Sequence, residues 1–150
     1  VKAIVQRVSH WLGALLFAVL LAVFVIQVVA RFFFDQPLPW TDELAVVLYI
    51  WLIFWAAAIM VKPKEHVAFD LLINAVSPET KTRMLRARYA LVAGLSAIAL
   101  PASLDYILFM QREGTPVLGL PLAWVFLPFM LFLVSLVVWN SLMLIQSFRR

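Results

Sequence analysis

The chain has 150 residues, of which 65% are hydrophobic and 13% charged, with no cysteine and a formal net charge of +4. An ordinary soluble domain is about 45–50% apolar and about 25% charged, and a chain this short has too much surface for its volume to bury such an apolar excess. A soluble globular enzyme, a disordered chain and a disulfide-stapled secreted domain are excluded, and the bilayer is the solvent these residues fit.

Stretches free of Asp, Glu, Lys and Arg locate the spans, because a helix crossing the ~30 Å hydrocarbon layer needs about 20 apolar residues. The first covers residues 8–30. Val28-Val29-Ala30 has the small residues of a signal cleavage site. The uncharged stretch nevertheless exceeds the ~7–15 residue core of a signal peptide, so it reads as a permanent helix. Ala14, Ala18 and Ala22 recur along it at four-residue spacing beside Gly13. Small residues let helix backbones approach closely. The stripe is either a seam for a partner subunit or packing among the chain's own helices.

A loop stiffened by Pro37 and Pro39 leads to the second span, residues 44–61. Thr41 is placed to cap this helix, with Asp42 and Glu43 in its first turn, where the helix dipole favours negative charge. Trp51 and Trp55, four residues apart, form an apolar ridge on one helix face. That ridge suits another membrane protein or lipid equally. Ala56-Ala57-Ala58 gives this helix its own small-residue patch.

The connection that follows holds Phe69, Leu72, Ile73 and Val76 at helical spacing, with Asp70 and Asn74 on another face. This pattern predicts a short amphipathic helix lying in the membrane interface. Ser77-Pro78 then reads as an N-cap followed by proline in the first helical turn. A helix starting there runs into the third span, about 86–110. Its uncharged core, residues 89–104, is short, so a tilted or overlong helix is expected. Ala90, Gly94 and Ala97 repeat the small-residue device. Asp105 is the deepest ionisable group, expected as an interfacial charge paired with Arg31 or Arg112. The last uncharged stretch, 114–148, is too long for one span and too short for two. Pro116 and Pro121 place its opening in a loop, with the helix over 122–147.

The expected fold is an all-α integral membrane domain spanning residues 1–150, with four transmembrane helices and an interfacial helix between the second and third. Ten of the 12 basic residues fall in the termini and the middle connection. By the positive-inside rule both termini are then cytoplasmic. Lys62, Lys64, Lys81, Arg83, Arg86 and Arg88 read as cytoplasmic-interface residues touching anionic lipid headgroups, not as a nucleic-acid patch.

Ionisable groups deep in a membrane are costly and mark function. None occupies the middle of a span here. Gln27, Ser96, Ser103, Ser135 and Asn140 are the intramembrane polar residues, and interhelical hydrogen bonds account for them. His10 and His66 raise the idea of a bis-histidine haem in a redox anchor. His66, however, falls in a charged stretch beyond Pro63, where a haem in the helix core would not find it. A small multidrug exporter would need a buried carboxylate, and the first helix offers only Gln27. No phosphate loop, metal-spaced cluster or nucleophile elbow is present. Enzymatic chemistry and a cofactor are not expected in this chain.

Three stretches resemble one family in order along the chain. The first runs from Ala30-Arg31-Phe32-Phe33-Phe34-Asp35-Gln36 through Pro37-Leu38-Pro39-Trp40-Thr41-Asp42-Glu43-Leu44. The second is Lys64-Glu65-His66-Val67-Ala68-Phe69-Asp70-Leu71-Leu72. The third is Thr115-Pro116-Val117-Leu118-Gly119-Leu120-Pro121-Leu122-Ala123-Trp124. Together they resemble the small, four-helix DctQ-type membrane subunit of tripartite ATP-independent periplasmic (TRAP) transporters. Trp124 stands alone where many relatives carry two aromatics.

The resemblance implies a non-catalytic subunit of a bacterial inner-membrane importer. Its partners would be a large membrane subunit, which holds the sodium and substrate sites, and a periplasmic substrate-binding protein. The cargo would be an organic anion such as a C4-dicarboxylate or sialic acid. On this reading Arg31, Trp40, Asp42, Glu43, Arg112 and Glu113 form a periplasmic docking surface. Ala14, Ala18, Ala22, Trp51 and Trp55 pack on the large subunit. Plain structural support is the competing account of the loop residues. A membrane anchor for a redox enzyme complex is the alternative function.

Overall fold

The computed structural model describes residues 2–60 and 77–148. Four helices make up almost all of it: α1 (Lys2–Phe33), α2 (Pro39–Trp55), α3 (Pro78–Phe109) and α4 (Leu122–Phe148). A π-helical turn, Ala56–Met60, prolongs α2, and a 3-10 turn, Met110–Arg112, ends α3. Each helix is long and apolar enough to cross a membrane, over Gln6–Phe33, Pro39–Ile59, Glu79–Arg112 and Leu122–Phe148. The interfacial helix expected within 69–76 lies outside the described residues, as do Lys62, Lys64, His66, Arg149 and Arg150.

The helix boundaries follow local chemistry. The chain leaves α1 through Asp35 at a φ of 51°, a left-handed position that Asp tolerates better than most residues. Leu38, extended, precedes α2, and Pro39 opens it, where a missing N–H costs nothing. Thr41 therefore does not cap α2. It sits a turn inside, with its backbone N–H donating to Leu38 O at 3.1 Å. Ser77 does cap α3: its Oγ accepts from the Thr80 N–H at 3.4 Å, and Pro78 follows. As expected, α3 is one continuous overlong helix, with Pro101 inside it. Pro116 and Pro121 belong to the loop before α4.

The helices form an open row, in the order α1, α2, α4, α3. Each end helix packs on one neighbour, and among the described residues α1 touches neither α3 nor α4. Three kinds of contact join the row. Trp55 of α2 donates its indole N–H to Ser9 O of α1 at 3.4 Å. Phe54 meets the rings of Phe129 and Phe132 of α4 at 5.4 and 5.6 Å. The small side chains Ala93 and Ser96 are buried on the α4-facing side of α3 with Tyr89 and Ile107.

This arrangement decides what the small-residue stripes are for. Ser9, Gly13, Val23 and Gln27 form the buried side of α1. Ala14, Ala18 and Ala22 lie on its opposite side and are exposed. Packing among the described helices does not explain them. Ala90, Gly94 and Ala97 of α3 are likewise exposed, and a Cβ added at Gly94 would meet nothing within 4 Å. Ala58 behaves differently: it is buried where α2 continues into its π turn.

Candidate functional site

The α1–α2 loop and the α3–α4 loop meet at one end of the row, and Glu43 joins them. It stands just beyond the first turn of α2, half-buried, and reaches across to residues 117 and 118. Its Oε2 accepts the Val117 N–H at 2.7 Å and its Oε1 accepts the Leu118 N–H at 2.9 Å. Two successive backbone N–H groups make an anion cradle, and a carboxylate receives such bonds in their stronger, charge-assisted form.

The cradle exists because the loop folds back on itself. Thr115 N–H donates to Leu120 O at 2.9 Å, Gly119 N–H to Thr115 O at 3.0 Å, and Leu122 N–H to Glu113 O at 3.0 Å. Thr115, itself buried, also accepts the Leu120 N–H on its hydroxyl at 3.0 Å. Gly119 turns the chain at a φ of +64°, which a side chain would oppose. The tip so formed carries Val117, Leu118 and Leu120 outward. Exposed leucine and valine on a structured loop form an apolar patch held at a fixed place.

A second polar contact fixes the base of the site. The Thr41 side chain, fully buried, meets the Gln27 carboxamide of α1. The same hydroxyl donates to Leu38 O at 2.6 Å. Its single proton faces two acceptors, the Leu38 carbonyl and Gln27 Oε1. The α1–α2 seam is thus closed by a buried side-chain pair directly beneath the loops.

The expected docking residues divide into two groups. Arg31, Asp42, Arg112 and Glu113 are exposed, and among the described residues none is held in an ion pair. Trp40 is 39% exposed on the first turn of α2. All five stand where α1 ends, α2 begins or α3 gives way to its loop. Glu43 instead points into the protein and shapes the loop. Arg31 in the last turn of α1 and Asp42 in the first turn of α2 each complement a helix dipole.

The expected packing residues also divide. Ala14, Ala18 and Ala22 face away from the other described helices. Trp55 is spent on the bond to Ser9 O, and Trp51 is half-buried. At the opposite end of the row, Arg86 is half-buried and donates to Ser147 O at 2.6 Å, with its guanidinium 4.5 Å from the Phe148 ring. It caps the C-terminus of α4. Arg88 stacks its guanidinium 4.8 Å from the Tyr89 ring, Lys81 is half-buried and Arg83 is exposed.

Asp105 pairs with neither Arg31 nor Arg112. It is exposed on the side of α3 turned away from α4, and Arg31 belongs to the helix at the far edge of the row. Sequence reasoning also left Thr115 and the Gln27–Thr41 pair unassigned. Gln27 was visible as an intramembrane polar group, but its partner depends on the helix pairing. The only local signal for Thr115 was its position four residues before Gly119. His10 is exposed on α1.

The buried polar side chains among the described residues are Ser9, Gln27, Thr41, Ser96, Thr115 and Asn140, all uncharged. A stretch of 70 residues is 31% identical to the sialic acid TRAP transporter permease protein SiaT of Haemophilus influenzae (strain 86-028NP), covering 47% of this chain and 11% of that relative. The chain thus spans only a small part of the length of the relative it matches. The family of the DctQ component of tripartite ATP-independent periplasmic transporters matches residues 20–150. A multi-pass membrane protein with four candidate spans, the chain belongs to that DctQ family, a non-catalytic component of a transport system that has other components.

Proposed function

We propose that this chain is the scaffold subunit of a sodium-coupled importer in a bacterial inner membrane. It braces the large transport subunit and helps a periplasmic binding protein dock on the loop end. The observation that supports this reading best is the open row. Among the described residues, four spanning helices arranged side by side leave broad apolar faces and two unpartnered edges, more surface than a self-sufficient bundle would show. The exposed Ala14, Ala18 and Ala22 stripe on α1 suits close approach of a helix from the large subunit.

The basic residues orient the molecule: ten of 12 lie at the termini end or in the middle connection, so the loop end faces the periplasm. The rim of Arg31, Trp40, Asp42, Arg112 and Glu113 then meets the binding protein, and Glu43 fixes the loop beside it. Lys81, Arg83 and Arg88 then lie at the cytoplasmic headgroups. The sodium and substrate sites belong to the large subunit, and this chain holds no cofactor. The relative named for sialic acid supports an organic anion as cargo.

The test is reconstitution. Liposomes holding this chain and the large subunit, supplied with binding protein and a sodium gradient, should take up the organic anion. Liposomes with this chain alone should not. Uptake by the isolated chain, or failure of the two membrane subunits to copurify, would overturn the reading.

A further inference from the structure

A groove of about 550 Å³ lies between α3 and α4 at the loop end of the row. Its inner part is lined by Leu104, Ile107 and Leu108 of α3 and by Leu127 and Met130 of α4. Its mouth is framed by Pro121, Ala123 and two side chains that carry hydrogen-bonding groups, Gln111 and Trp124. Gln111 belongs to the 3-10 turn that ends α3, and Trp124 to the first turn of α4. From Leu104 to Gln111 the groove runs about 10 Å along α3, at a rise of about 1.5 Å per residue. It is apolar along its length and polar at one end only. Both walls belong to candidate spans, Glu79–Arg112 and Leu122–Phe148.

Size and polarity select the occupant. A helix segment about 10 Å long and 10 Å across fills roughly 800 Å³, more than the groove holds, so a helix rests on the rim without entering. An acyl chain is a single file of methylenes. It fits lengthwise and buries its surface against the apolar walls.

The mouth matches a headgroup. Trp124 is 63% exposed there, and an indole at the membrane–water boundary keeps its ring in apolar surroundings and its N–H free to donate. The Gln111 carboxamide adds two donors. Next along the chain, Arg112 and Glu113 are both exposed and carry opposite charges, the complement of a headgroup with a phosphate and an ammonium. We propose that the α3–α4 groove binds one acyl chain of a zwitterionic phospholipid from the leaflet at the loop end. Gln111, Trp124 and Arg112 receive its phosphate, and Glu113 its ammonium. The site goes beyond the scaffold reading and belongs to this chain alone.

The experiment uses the full chain, freed of lipid by detergent exchange, titrated with phosphatidylethanolamine and followed by native mass spectrometry. One lipid should stay bound per chain and saturate. Phosphatidylglycerol, which lacks the ammonium, should be held several-fold more weakly. Leu108→Trp fills the groove from α3, and Ala123→Phe fills it from α4. Each should weaken retention by on the order of tenfold while thermal unfolding stays close to that of the parent. Gln111→Leu leaves the groove open and removes a headgroup partner, so it should weaken retention less. The two filling variants act from opposite walls, and either serves should the other fail to insert. The proposal is overturned by absence of retained lipid, by equal retention in a folded filling variant, or by an unsaturable series of lipids with no headgroup preference, which is the pattern of annular lipid only.

Discussion

The Glu43 carboxylate holds the backbone N–H of Val117 at 2.7 Å, tying the start of α2 to a loop 74 residues away in the chain. One side chain thereby sets the position of the exposed loop tip. Glu43→Ala leaves the Val117 and Leu118 amides without their acceptor. Hydrogen exchange at residues 117 and 118 should then rise by roughly an order of magnitude. Glu43→Gln should fall between, since a carboxamide offers one acceptor oxygen and presents N–H groups to the second amide. Exchange mass spectrometry on the purified chain reads this directly. Unchanged protection in Glu43→Ala would mean that the loop holds itself.

Docking of the binding protein should depend on different residues. Asp42 and Glu113 are exposed, and Glu113 joins the loop's hydrogen bonds through its backbone, not its carboxylate. The double change Asp42→Lys and Glu113→Lys should cut binding-protein-dependent uptake while loop exchange and subunit copurification stay as before. The loss should be larger at low salt, because exposed charges act mainly on encounter and are screened within about 10 Å at 0.1 M. Uptake that is unaffected at every salt concentration would remove these two carboxylates from the docking surface.

The Gln27–Thr41 pair yields an asymmetric expectation. Thr41→Val strands a buried carboxamide between α1 and α2, at a cost of about 1 kcal/mol where membrane hydrogen bonds are concerned. The double variant Gln27→Leu, Thr41→Val removes both polar groups and should regain much of that loss, since an unsatisfied group costs more than an absent pair. Thermal unfolding in detergent of both single variants and the double variant completes the cycle. Additive losses would show that the two side chains act separately.

How much of this was legible beforehand follows from which signals survive in a membrane. Spans, the Ser77-Pro78 start and the proline-containing loop before α4 were readable, because charge placement and cap chemistry are local. The inward face of each span was not. In water an apolar stripe marks the core, but here Ile98 facing outward and Val23 facing inward are equally apolar. Small residues were a signal without a direction: Ala58 packs inside the chain and Ala18 does not. Glu43 and Arg86 were visible as charges, and their roles depended on partners far along the chain. Thr41 was misplaced as a cap because Pro39, a stronger opener, starts the helix earlier.

Arg86 supplies the last expectation. It donates to Ser147 O and lies over the Phe148 ring, so it contributes a hydrogen bond, a favourable charge at the α4 C-terminus and a cation–π contact. Helix-end charges contribute about 0.3–1 kcal/mol, and an exposed cation–π contact about 0.5–1 kcal/mol. Arg86→Ala should therefore lower stability by about 1–2 kcal/mol and speed exchange in the last turn of α4 while sparing the loop end. Arg86→Lys keeps the charge but loses the planar guanidinium, so it should recover part of the stability. If Arg86 served lipid headgroups alone, α4 exchange would be the same in both variants and in the parent. Instead, protection at the α4 C-terminus should follow the order Arg, Lys, Ala, because the residue acts there as a cap within the protein.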